Sequence, residues 1–187
     1  INMSVNGTRQ GYIFNDLTDM YIYNVDNGSL IFGSNNEERF RIAADGSLST
    51  PTAGTSNVRF GVNAGISLAS GGNYNTVVGD EAGSAITTGD FNTVLGYAAL
   101  DAALLVNNNV AVGSASLSTN VHSSKNVAVG SNSLETHNLG SAGDGYNTAV
   151  GYNSGLSVST GVNNTLIGGL AGDALQDADH NLSLIHI

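Results

Sequence analysis

The sequence predicts an all-β fold: a parallel β-roll, or solenoid, of about eight 17-residue coils, preceded by a small antiparallel β region. Three observations carry this expectation. First, Asn57, Asn75, Asn92, Asn109, Asn126, Asn147, Asn164 and Asn181 lie 18, 17, 17, 17, 21, 17 and 17 residues apart, and a fixed period of this size is the signature of stacked repeats. Second, each asparagine opens one phrase: Thr or Val, two mostly apolar residues, Gly, two variable residues, a small Ala or Ser, then Gly or Leu. It reads NTVVGDEAG from Asn75, NTVLGYAAL from Asn92, NVAVGSASL from Asn109, NVAVGSNSL from Asn126, NTAVGYNSG from Asn147 and NTLIGGLAG from Asn164, with a looser NVRFGVNAG from Asn57. Third, 187 residues contain 25 glycines, one proline, no cysteine and only 11% charged residues, against roughly 25% in ordinary domains. Strict periodicity with apolar columns argues for ordered stacking and against disorder.

Residues 1 to 50 read as a hairpin module. The β-prone runs Tyr21–Val25, Leu30–Phe32 and Phe40–Ile42 are separated by turn chemistry at Asp26-Asn27-Gly28, Asn35-Asn36 and Asp45-Gly46. So small a module buries little surface alone and is expected to lean on a neighbour or on copies of itself. The boundary falls at Pro51, inside the polar stretch Ser49–Ser56, which leaves residues 51–187 to the repeats.

With each asparagine numbered position 0, positions 1 and 3 share one side of a strand, because side chains alternate. They are expected to point into the coil. Position 2 (Val77, Val94, Ala111, Ala128, Ala149, Leu166) then faces outward, and its apolar character asks for a cover, in a thin solenoid another chain. Glycine at position 4 ends the strand with a turn that a β-carbon would obstruct. Small residues at position 7 (Ala64, Ala82, Ala99, Ser116, Ser133, Ser154, Ala171) imply tight packing at a corner. The connector carries an apolar residue near its middle (Leu68, Ile86, Leu104, Val121, Val158, Leu175) and has room for a second short strand. At the ~4.8 Å strand spacing, eight coils span about 35–40 Å. Between Asn126 and Asn147 four extra residues are expected to form a loop, the most individual surface of the chain.

Several function classes are disfavoured. A net charge of −10, fifteen acids against Arg9, Arg39, Arg41, Arg59 and Lys125, opposes binding to nucleic acid or anionic membranes. No apolar run approaches the ~18 residues needed to cross a bilayer, nothing at the start resembles a signal peptide, and thiolate metal sites are excluded. The chain begins at Ile1 and reads as a fragment. The closing LSLIHI resembles translated adapter sequence found at the end of metagenomic reading frames, so the last coil is read as truncated and residues 182–187 as artefactual, with no role for His186.

The Asn column reads as amides bonding one another and the backbone at coil corners, in preference to an array of ligands. Asp80, Glu81, Asp90, Asp101, Asp173, Asp177 and Asp179 fall at unrelated repeat positions, unlike the convergent pair a glycosidase needs. His122, His137 and His180 lie in separate connectors without metal-ligand spacing and read as surface histidines. There is no nucleophile elbow and no phosphate-binding loop. Hence no catalytic, cofactor or metal residues are expected. The better binding candidates are aromatic: Tyr97 and Tyr152 at position 5, and Tyr74, Phe91 and Tyr146 at the position before the asparagine. They suit contacts to sugar or protein, or rim packing between chains. His137, Asp144 and Tyr146 mark the irregular loop as a further receptor-contact candidate.

The phrases NTVLGYAAL and NTAVGYNSG, at a spacing of 17, closely resemble the NTAVGYxAL-type repeats of bacteriophage tail-fibre proteins, which often precede an intramolecular chaperone domain. They are more distantly similar to the NSVAIG-type head repeats of trimeric autotransporter adhesins, which form trimeric left-handed parallel β-rolls. Glu38-Arg-Phe-Arg-Ile42 followed by Asp45-Gly46 resembles the ERMRI-x-x-x-G stretch found before such repeats. The resemblance implies a homotrimeric fibre at a virion or cell surface: a structural and adhesive shaft without enzymatic activity, presenting loops to a host glycan or protein receptor. An ice-binding solenoid is the alternative, disfavoured by a broken Thr column on a face assigned inward. A glycan-depolymerising tailspike comes third.

Overall fold

The computed structural model describes residues 2–5, 8–16 and 18–185, with side chains from residue 11 onward. They are all-β, without a helix, and fall into two compact units, Ile1–Pro51 and Thr52–Ile187.

The first unit holds two three-stranded antiparallel sheets where the sequence suggested one meander. Strands β1 (Asn2–Val5), β2 (Thr8–Asn15) and β3 (Met20–Asn24) form one, and β4 (Leu30–Ser34), β5 (Glu37–Ile42) and β6 (Leu48–Ser49) the other. The β4–β5 turn places Asn35 and Asn36 at φ 54° and 60°, the paired left-handed conformation of a tight hairpin. Asp26-Asn27-Gly28 does not close a hairpin. Asn24 accepts the Asp26 N–H and donates to the Ser29 carbonyl, so this turn links the two sheets.

The second unit is the solenoid. Strands β7 (Val58–Phe60), β8 (Thr76–Val78), β9 (Thr93–Leu95), β10 (Val110–Val112), β12 (Val127–Val129), β14 (Thr148–Val150), β15 (Thr165–Ile167) and β16 (Leu182–Ser183) form one parallel sheet in sequence order, about seven turns in all. Pairing is in register: Val58 meets Thr76, Thr76 meets Thr93 and Val110 meets Val127. Leu182 and Ser183 continue this sheet, while His186 and Ile187 lie outside the described residues. The connectors are turns. Their only strands among the described residues are the short parallel pair β11 (Ser123–Ser124) and β13 (Gly143–Asp144), so the expected second strand per coil does not form.

The faces of the repeat strand are opposite to the expectation. Position 2 is the interior: Val77, Val94, Ala111, Ala128, Ala149 and Leu166 are fully buried. Positions 1 and 3 face outward, with Phe60, Leu95 and Ile167 exposed. The cause is position 0. The Asn amides are themselves inside, and a period of 2 then carries position 2 inward and positions 1 and 3 out. Arg59 occupies position 2 in the first coil, where its Nε donates to the Ala64 carbonyl at 2.6 Å. A terminal coil of atypical composition is common in solenoids.

Interior asparagines are tolerated because every amide group is engaged. Each Asn Oδ1 accepts the backbone N–H of the next asparagine, without interruption from Asn57 to Asn181, at 2.8–3.1 Å. The amide nitrogens of Asn75, Asn92, Asn109, Asn147 and Asn164 donate to carbonyls at Gly89, Val106, Ser123, Gly161 and Ala178, which lie ahead of the next asparagine. The position-4 glycines sit at φ 127–140°. A β-carbon on Gly113 would lie 2.5 Å from the Gly130 carbonyl.

The rest of the core is filled by exchange between positions 8 and 11. Gly65, Gly83, Gly155 and Gly172 at position 8 go with Leu68, Ile86, Val158 and Leu175 at position 11. Buried Leu100, Leu117 and Leu134 go instead with Ala103, Asn120 and His137. The core column therefore runs through Ala103 and Asn120, correcting the reading that put Leu104 and Val121 there: Leu104 is exposed and Val121 half-buried.

Candidate functional site

Positions 1 and 3 form an outward sheet face, with Thr and Val at position 1 and Phe60, Val78, Leu95, Val112, Val129, Val150 and Ile167 at position 3; the candidate aromatics stand just before it at position −1 and just after it at position 5. Tyr97 and Tyr152 follow the strand end, 60% and 59% exposed; three coils, about 14 Å, separate them. Tyr74, Phe91 and Tyr146 precede the strand and are equally open. Of the seven predicted contact residues, the structure pairs Tyr74 with Phe91 and Asp144 with Tyr146, and removes His137 from the surface.

Position −1 is conformationally unusual. Ser56, Tyr74, Phe91, Asn108, Lys125, Tyr146, Asn163 and His180 all have φ between 50° and 61°. Asn accepts this left-handed region readily, whereas a bulky side chain costs about 1–2 kcal/mol. Aromatic residues stand here against that cost. Tyr74 and Phe91 stack in adjacent coils, centroids 5.0 Å apart and planes within 9°.

The C-terminal end of the insertion is anchored to the preceding coil. Gly143–Asp144 pairs with Ser123–Ser124 of the preceding coil. The Lys125 Nζ donates to Asp144 Oδ2 at 2.8 Å and to Tyr146 Oη at 3.1 Å, and lies 5.1 Å from the Tyr146 ring centre. Beside this ammonium the Asp144 carboxyl is held below its ordinary range. Residues 140–144 stand exposed, including the anchored Gly143 and Asp144.

His137 is fully buried, a correction to its reading as a surface and receptor-contact residue. It occupies core position 11 of the inserted coil. Its Nε2 lies 2.9 Å from Ser123 Oγ and 3.4 Å from Asn147 Nδ2. Burial pushes its pKa down to about 4. His180 is exposed and His122 half-buried.

The acids have structural roles that spacing did not suggest. Asp90 and Asp179 share position −2 with Asn73 and Asn107 and build a second side-chain ladder. Asp90 Oδ1 accepts the Asn73 N–H, Asn107 Oδ1 the Asp90 N–H, and Asp179 Oδ1 the Val162 N–H, each at 2.7 Å. Asp177 accepts from the Ser159 and Thr160 hydroxyls. Among the described residues no group of three His, Cys, Asp or Glu side chains could hold a metal ion.

One cluster escaped the sequence reading. Tyr12 and Phe14 on β2 face Tyr23 and Tyr21 on β3, giving a block of four rings with centroids 4.5–6.0 Å apart on one sheet face. Phe14 and Tyr23 are exposed. The i, i+2 spacing of Tyr12-Phe14 and Tyr21-Tyr23 was the available signal, hidden because β2 was not recognised as a strand.

No family model, curated protein or solved structure matches the chain.

Proposed function

We propose that the chain is a structural and adhesive segment of a fibre, most like the tail-fibre repeats its phrases resemble, that assembles as a homotrimer and contacts a host-surface glycan or protein. The observation that carries this reading is the continuous outward strip. A sheet face of Val, Leu, Ile and Thr, half-buried to exposed along the coils and most open at Phe60, Leu95 and Ile167, is bordered by Tyr and Phe and suits contact with another surface. It takes over the role that the sequence reading gave to position 2. Repetition provides a stiff support, and three identical weak sites together could exceed single-site binding by about 10²-fold. Receptor contact is assigned to the irregular features, chiefly residues 138–146. Deleting the four residues 139–142 is expected to leave the assembly's mass unchanged and to reduce adsorption to host cells; full adsorption by the deletion variant overturns the loop assignment.

The outward face also favours a second reading. Thr76, Thr93, Thr148 and Thr165 stand outward at one register position of a parallel sheet, where regular hydroxyls can order water. Val110 and Val127 interrupt that column, and Leu95 and Ile167 flank it. Thermal hysteresis by the purified chain would establish ice binding, and its absence excludes it.

A further inference from the structure

The inserted coil contains a buried polar cluster that neither the fibre reading nor the repeat explains. Four groups meet there. His137 Nε2 lies opposite the Ser123 hydroxyl and the Asn147 amide nitrogen. Ser123 Oγ also accepts from Asn126 Nδ2 at 2.9 Å, which directs the serine proton toward the imidazole. Asn147 cannot be turned round, because its Oδ1 accepts the Asn164 N–H and its Nδ2 donates to the Gly161 carbonyl. Nε2 therefore faces two donors and must act as an acceptor. Its Nδ1 is buried with no well-formed hydrogen bond, and the Ser159 carbonyl gives it weak support.

This is also where the repeat bonding is interrupted. Asn126 does not reach a carbonyl ahead of the next asparagine, as its neighbours do, and bonds Ser123 Oγ and the Ser124 carbonyl instead. Gly145 closes the cluster from the insertion side. A β-carbon there would lie 2.1 Å from Asn126 Oδ1 and 2.8 Å from His137 Nε2.

We infer that His137 is an acid-sensitive latch: neutral, it holds the inserted coil closed, and protonated, it releases residues 135–146. Protonation at Nε2 places an N–H against the fixed Asn147 donor and a charge in a core with no counter-ion. The surrounding ionisable groups do not compensate. The preceding coil offers His122 and Lys125, the connector of His137 itself Glu135, the insertion Asp144 and Tyr146, which Lys125 engages, the following coil Tyr152, and the coil after that Asp177, which is bound to Ser159 and Thr160 hydroxyls. None of these ionisable side chains hydrogen-bonds the imidazole among the described residues.

The sign follows from linkage. The folded pKa is about 4 against an ordinary 6.5, so the opened state binds the proton more tightly. The closed coil keeps its full stability above pH ~6.5 and loses it as pH falls toward 4, with opening favoured up to about a hundredfold.

The test is hydrogen exchange of the whole chain at pH 7.5 and 4.5, corrected for intrinsic rates, with NMR titration of the histidines. The expected result is a tenfold or greater loss of protection confined to residues 135–146 in the wild type and absent in His137→Asn, the residue that Asn120 supplies at this position beside Leu117, as Leu134 stands beside His137. Equal acid sensitivity in the variant overturns the proposal, as does a wild-type coil protected at both pH values. Should His137→Asn fail to fold, the titration decides alone: a His137 midpoint near 6.5 overturns the latch and one near 4 with loss of protection supports it. Neither readout depends on adhesion, so the latch and the fibre reading fail separately.

Discussion

Gly113 shows what one position of the phrase must satisfy. Its φ of 131° lies where L side chains are strained, and the next coil's backbone fills the space a β-carbon needs. Gly113→Ala is therefore expected to destabilise the solenoid by about 3 kcal/mol or more, read as a lower midpoint in denaturant unfolding with the first unit unaffected. The interior asparagines show the opposite economy. A buried amide would ordinarily cost several kcal/mol, yet here its oxygen and nitrogen meet backbone partners in every regular coil. Among the described residues that satisfaction is incomplete at the Nδ1 atoms of His122 and His137, and the acid sensitivity we infer is local to the fully buried His137.

Within a coil, the core is a volume shared between two turns. Leu at position 8 accompanies Ala103, Asn120 or His137 at position 11, while Gly at position 8 accompanies a larger apolar partner. Leu100→Gly alone is expected to leave a cavity and cost about 3–5 kcal/mol. Adding Ala103→Leu should recover at least half of that loss, because the coils at Gly83 and Ile86 already use this arrangement. A double-mutant cycle of unfolding free energies measures the coupling, and strictly additive losses would contradict the exchange. The pattern was present in the sequence but was obscured by reading the connector's apolar residues as one column: Leu104 and Val121 sit one place beyond it.

For the whole molecule, the reversed strand register moves the surface on which the proposed association rests. Position 2 is buried from Val77 to Leu166 and needs no partner, whereas the odd positions are half-buried to exposed, with Phe60, Leu95 and Ile167 the most open. Homotrimerisation through this strip predicts that Leu95→Glu, at a position 48% exposed, lowers the solution mass from trimer to monomer while leaving the circular dichroism unchanged. A variant that retains the wild-type mass would remove Leu95 from the interface. The acidic chain adds a condition: with a charge of −10 per copy, association should strengthen as salt screens the repulsion.

The 17-residue period, the turn glycines and the small position-7 residues were legible because each is a one-dimensional statement of a stacked backbone: it repeats at the same place or the coils cannot pair. The interruption at Glu135–Tyr146 was legible for the same reason. Which strand face points inward was not, since alternation fixes only that neighbours differ, and Asn, Thr, Val and Ala are compatible with either side. That choice was made by the asparagine amides, whose hydrogen bonds across coils outweigh their polarity once the backbone brings them together. Burial of His137 was likewise decided in three dimensions, by a core position whose occupant depends on Leu134 in the same coil and on Ser123 and Asn147 in the coils beside it.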